Sequence, residues 1–168
     1  MEPEITIYSV MACAPTAPAT ALATAMMVFR RIPQLSLFIF SGFEFNISGK
    51  LGTSLFAPFV GAIDRATGAI TVNVESFIPK NMIAAPGGTT HYKIISAGAE
   101  IDFEAETFVE AHSETAILPW DATATAVINQ VNTVTPASTK PLFLALGLEF
   151  YQEVNGSMYS LKNGAYNP

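Results

Sequence analysis

The chain has 168 residues, half of them apolar and only 13% charged, against the roughly 25% usual for soluble domains. That length fits one domain able to bury a sizeable core, and the composition excludes a solvated, disordered chain. The formal charge is −6, and seven of the fourteen acids fall between Glu100 and Asp121, with no Lys or Arg between Lys93 and Lys140. Such an acidic flank repels phosphate backbones, so no nucleic-acid partner is expected. Excess apolar content predicts apolar surface for a protein partner or a second copy.

The amino terminus starts Met-Glu-Pro-Glu, without the basic start of a signal peptide. The apolar run Ala19 to Phe29 is interrupted by Arg30, Arg31 and Pro33 before Leu35 to Phe40. No uninterrupted run approaches the ~20 residues of a spanning helix, so no membrane span is expected. Cys13 is alone, so neither an intrachain disulfide nor a cysteine-rich metal site is available. Residues 1–41 read as an atypical Ala/Thr/Pro-rich extension with one short helix over Ala19 to Arg31, and 42–168 as the folded domain. Within the extension, residues 1–34 are expected to lie outside the sheet core, so that a chain starting at Leu35 keeps the fold.

From Leu35 strand signals follow one another. Phe43, Phe45 and Ile47 alternate with polar residues, the pattern of a half-buried strand. Ser48 to Thr53 turns, and Leu55 to Ile63 is a strand with Pro58 at an edge or bulge. Asp64-Arg65-Ala66-Thr67-Gly68 predicts a tight hairpin: the Asp side chain accepts from following N–H groups, and Gly68 takes a positive φ. Ile70, Val72 and Val74 then form a returning apolar face. Ser76 to Thr89, with Pro79, Pro86 and Gly87-Gly88, is a longer connection. Thr90 to Ala97 is a strand, Gly98 a bend or bulge, and Glu100 to Ala105 alternates. This alternation predicts Ile101, Phe103 and Ala105 facing inward, continued by Val109 and Ala111. Glu100, Asp102, Glu104 and Glu106 then form a solvated acidic ladder. Thr123 to Val134 reads as a strand on the strength of its threonines, and Pro136 to Pro141 as a loop. Leu142, Leu144, Leu146, Leu148 and Phe150 form one apolar stripe. Asn155-Gly156 is the preferred pair of a two-residue type I′ turn, which sets Val154 opposite Ser157, Phe150 opposite Leu161 and Glu149 opposite Lys162. Eight or nine short strands without a βαβ rhythm predict an all-β, antiparallel two-sheet β-sandwich, Ig-like, with a small β-barrel as the alternative.

Three blocks, GFEFNISGKLGTSLFAPF from Gly42, NMIAAPGGTTHYKIISAGAEIDFEAE from Asn81 and ALGLEFYQEVNGSMYSLKNGAYN from Ala145, resemble uncharacterised proteins from Bacteroidota. The likeness spans about three quarters of the chain and is one of whole phrases, not of catalytic motifs, so it implies no activity, cofactor or site residue. The first 41 residues depart from it, since the corresponding part of those proteins is helical and rich in charge. The departure implies a misassigned start or an altered reading frame here.

Candidate sites are few. Glu100, Asp102, Glu104, His91 and His112 are the candidates for holding a metal. A flat ladder with about 6.6 Å between successive side chains cannot by itself converge the oxygens Ca²⁺ needs. The two histidines lack zinc-site spacing. Trp120, Tyr151, Tyr159 and Phe108 are the candidates for a ligand or interface, set against packing in the core or beneath the extension. No Gly-x-Ser-x-Gly elbow is present, and Pro86-Gly87-Gly88-Thr89 lacks the Lys-Ser/Thr of a phosphate loop. Asn46-Ile-Ser48 and Asn155-Gly-Ser157 match the glycosylation pattern, which turn geometry already explains at the second. No enzyme and no cofactor are expected. A structural or protein-interaction module, self-association included, is the leading expectation. The alternative is a ligand- or cation-binding β module using the acidic face or the outward aromatics.

Overall fold

The computed structural model describes residues 6–13, 43–44 and 50–161, the first two segments as backbone strands only. Among these residues the strands are β1 (Thr6–Cys13), β2 (Phe43–Glu44), β3 (Phe59–Asp64), β4 (Ala69–Val74), β5 (His91–Asp102), β6 (Thr107–Glu114), β7 (Leu118–Pro119), β8 (Ile128–Thr133), β9 (Leu142–Val154) and β10 (Ser157–Ser160). Two short helical turns, α1 (Leu51–Ser54) and α2 (Pro79–Met82), lie in the connections. The domain is all-β with two sheets. The larger, an open half-barrel, runs β2-β1-β9-β5-β6, with β10 also on β9 and β7 also on β5; the smaller runs β3-β4-β8. Every strand pair in both sheets is antiparallel.

The leucine stripe of β9 organises the core. Leu142, Leu144, Leu146 and Leu148 are fully buried, with Phe150 beside them, and the inward face of β4 (Ile70, Val72, Val74) meets them from the other sheet. Each such side chain contributes roughly 1.5–3 kcal/mol by leaving water. The type I′ hairpin forms as its sequence dictates: Asn155 and Gly156 have φ of 52° and 78°, Val154 pairs with Ser157, and Leu161 N donates to Phe150 O. Lys162, the expected partner of Glu149, lies outside the described residues.

The two other tight hairpins share one design. Asp64 Oδ1 accepts from Ala66 N (2.9 Å), Asp64 Oδ2 from Thr67 Oγ1 (2.7 Å), and Gly68 closes the turn at φ 73°. Asp102 Oδ1 accepts from Glu104 N and Ala105 N (3.0 Å each), and the closing residue is Glu106 at φ 54°. A side chain with a Cβ is strained in that region, whereas glycine is not. Glu106→Gly is therefore expected to raise stability by about 0.5–1 kcal/mol, read as a higher urea midpoint at unchanged slope.

Several expectations need correction. Thr6–Cys13, placed outside the sheet core by the sequence reading, pairs with β9 from Thr6↔Glu149 to Cys13↔Phe143. Its Thr-Ile-Tyr-Ser-Val composition has the β-branched and aromatic content that favours a strand. β3 begins after Pro58, not before it. Gly98 makes no bulge: β5 is continuous, in register with both β6 and β9 across that position. Glycine eases a close approach of the two sheets there: a Cβ would stand 3.0 Å from both Asn132 Cβ and Ile70 Cδ1, and those side chains would have to shift to admit it.

The acidic ladder does not exist as a strand face. β5 ends at Asp102, and 103–106 are the turn. Nor is its orientation as expected. Residues directly opposite in a sheet share a face, and β5 matches Tyr92, Ile94, Ser96, Gly98 and Glu100 to Phe150, Leu148, Leu146, Leu144 and Leu142. Glu100 is thereby carried inside with the leucines and is only 3% exposed, while Ile101 lies on the outer face. Phe103, expected in the core, is exposed in the turn, and Val109 is exposed on β6.

Candidate functional site

Three groupings of polar or aromatic side chains stand out. The first lies on the outer face of the large sheet, where Lys93 of β5 and Glu149 of β9 are direct cross-strand partners. Lys93 Nζ is 3.5 Å from Glu149 Oε2 and 3.2 Å from Glu114 Oε2, and 5.6 Å from the centroid of the Tyr151 ring. The Tyr151 hydroxyl donates to Glu149 Oε2. Glu149 and Tyr151 are buried and Lys93 nearly so. Burial pulls the Lys93 ammonium down, but the Tyr151 hydroxyl, Glu114 and Glu149 outweigh it and hold the group well above the usual lysine range. Burial, reinforced by Glu149, pushes the Tyr151 phenol up to about 12. A charged lysine beside a protonated tyrosine and a carboxylate is a satisfied ion pair.

The second grouping joins three loops at one end of the molecule. Arg65 Nη1 donates to Ser138 O and Lys140 O (2.8 Å each), and Ala137 N donates to Arg65 O (2.7 Å). Lys140 Nζ in turn sits 3.2 Å from Asp102 Oδ2 and 3.7 Å from Glu100 Oε1. Burial pushes the Glu100 carboxyl up, yet hydrogen bonds from Thr135 and Ser138 and the Lys140 charge bring it below the ordinary range. Asp102 is lowered by the Ala105 N–H and by Lys140, and Asp64 by the Thr67 hydroxyl and the Ala66 N–H. A carboxyl lowered in the folded state adds stability that is present above its unfolded pKa and is lost as pH falls through its folded value. The fold is therefore expected to weaken below about pH 4.5, starting at this end, with amide protection factors falling first in 64–69, 102–107 and 134–141.

The third grouping is interior. On β8 the inward positions are Ile128, Gln130 and Asn132, opposite Ser96 and Gly98 of β5. Gln130 Nε2 donates to Ile94 O and Asn132 Nδ2 to Ser96 Oγ, both at 2.9 Å. Ile94 sits where the partner strand leaves the sheet between Glu114 and Leu118. Its N–H and C=O are met by Thr115 Oγ1 and Thr115 N, with Gln130 as second donor to the carbonyl. Tyr92 is fully buried alongside, and burial together with the nearby Asp121 charge pushes its hydroxyl up to about 12. A raised tyrosine pKa stabilises the fold below the unfolded value near 10, a contribution lost as pH climbs through 12. An alkaline absorbance titration should show Tyr92 and Tyr151 ionising only near pH 12, together with unfolding.

The metal candidates do not converge. His91 pairs with Pro119 and Tyr151 at one end of β5, whereas His112 pairs with Ala97, six residues along and about 20 Å away. Glu100 is engaged inside, and Glu104 lies in the turn. Among the described residues no group of three or more His, Cys, Asp or Glu side chains could hold a metal ion. The aromatic candidates separate as well. Trp120 packs on the core, donating from Nε1 to Ile83 O at 3.3 Å with Lys80 Nζ 5.9 Å from its ring. Tyr151 is buried in the ion-pair cluster. Tyr159 pairs with Gln152, the neighbour of Tyr151, so the two tyrosines stand on opposite faces. Phe108 pairs with Ile101 and is 67% exposed, with Phe103 and Val109 exposed on the same hairpin.

Sequence reasoning missed Lys93, Gln130 and Asn132. Lys93 alternates with apolar neighbours like any solvated strand residue, and the inward amides follow no pattern that a period-two reading selects. No helix among the described residues is long and apolar enough to cross a membrane. No protein-family model matches the chain, and no curated protein matches it.

Proposed function

We propose that this chain is a non-catalytic structural or protein-interaction module whose β5–β6 hairpin meets its partner, a second copy of the chain included. The observation that carries this reading is the exposure of Phe108, with Phe103 and Val109, on one hairpin. Large aromatic side chains gain most when they leave water together, which is why they anchor interfaces. Their companions Glu104, Glu106 and Glu110 would keep the tip soluble and disfavour anionic partners. The core that Ile70, Val72 and Val74 share with the β9 leucines supports a further reading of the two sheets as an Ig-like sandwich.

Light scattering and sedimentation across a concentration series test the self-associating form. Association in the native chain that disappears in a Phe103→Ser/Phe108→Ser variant of unchanged circular dichroism supports it. A strictly monomeric native chain removes it. Calcium is expected to leave the unfolding midpoint unchanged at millimolar ion, and a clear rise would favour the cation-binding alternative instead.

A further inference from the structure

We propose that the layer between β5 and β8 is a buried water site, with Gln130 Oε1 and Asn132 Oδ1 as its acceptors. Gln130 is 3% and Asn132 1% exposed, and each side chain uses its nitrogen on the facing strand, one on Ile94 O and the other on Ser96 Oγ. Neither side-chain oxygen receives a protein hydrogen bond. Reversing the amides does not remove the deficit. Ile94 O can only accept, so Gln130 must keep its nitrogen there. Turning Asn132 over would let the Ser96 hydroxyl donate to its oxygen but leave its nitrogen unpaired.

The missing partner must therefore supply hydrogens. It must also be neutral, because the carboxylates on this face of β5, Glu100 and Asp102, are already engaged by Lys140. A cation would want several more oxygens than two amides provide. Water carries two donors and no charge, and buried waters characteristically sit on such otherwise unmet groups. The two residues are i and i+2 on one strand face, about 6.6 Å apart at the backbone. A water donating at about 2.8 Å to each oxygen, its two O–H bonds roughly 105° apart, spans about 4.5 Å, so side chains leaning together by about 2 Å can share it.

The test uses the full chain, labelled with ¹⁵N. Magnetisation transfer from water to the side-chain NH₂ protons of Gln130 and Asn132 is expected, together with a long-lived water component in oxygen-17 relaxation dispersion. Asn132→Leu, which removes the oxygen and fills its space, should reduce that component, whereas Val131→Thr on the outward face should not. Absence of both signals in the native chain would overturn the proposal, and that measurement stands whether or not the leucine variant folds. An undiminished component in a folded Asn132→Leu chain would overturn it equally.

Discussion

Gly68→Ala is expected to cost about 3–4 kcal/mol, among the largest losses available to a single methyl group in this domain. Two effects add. At φ 73° a Cβ brings about 1–2 kcal/mol of backbone strain. The new carbon would also stand 2.4 Å from Val134 O and 3.0 Å from Pro136 N, both backbone atoms that cannot rotate away. Relief requires the hairpin to part from the 134–140 loop, which breaks the Val134 N to Gly68 O bond (2.9 Å) and loosens the Arg65 contacts with Ser138 O and Lys140 O. Gly156→Ala is the control. Its φ is 78°, but nothing stands within 4 Å of the added carbon, so strain alone should cost about 1–2 kcal/mol. Urea midpoints of the two variants read the difference. Equal losses would mean that the 134–140 loop yields freely and that the close approach carries no energy.

Lys93→Met is expected to cost about 3 kcal/mol, because it leaves Glu149 buried without its cation. The Tyr151 hydroxyl would still donate to Glu149, which keeps the loss at the lower end of the range for broken buried pairs. Glu149→Gln in the same chain removes the stranded charge while keeping an acceptor for Tyr151. The double variant should therefore recover most of the stability. A double variant no more stable than Lys93→Met alone would show that the loss came from packing of the lysine stem and not from charge.

The β9 stripe, the Asn155-Gly156 turn and the Asp64 to Gly68 hairpin were all determined by the sequence alone. In each case local chemistry has one low-energy answer: positive φ at Gly or Asn, an Asp oxygen within reach of the next N–H groups, and apolar residues every second position. The second hairpin escaped notice because Glu106, not glycine, takes the positive φ, and its strain is tolerated only because strand pairing on both sides holds it. Which face of β5 lies inside was decided by tertiary structure. Its two faces, one with Ile95, Ala97, Ala99 and Ile101 and the other with Tyr92, Ile94, Ser96, Gly98 and Glu100, both carry apolar side chains, and alternation alone prefers the wrong one. Register against the leucines of β9 settles the matter and carries Glu100 inward, where Thr135, Ser138 and Lys140, all distant in sequence, make its burial tolerable. The same holds for Lys93 and Glu149, for Gln130 and Asn132, and for Gly98. Each is explained by a group brought near only when the sheets assemble, and a one-dimensional pattern does not encode that proximity.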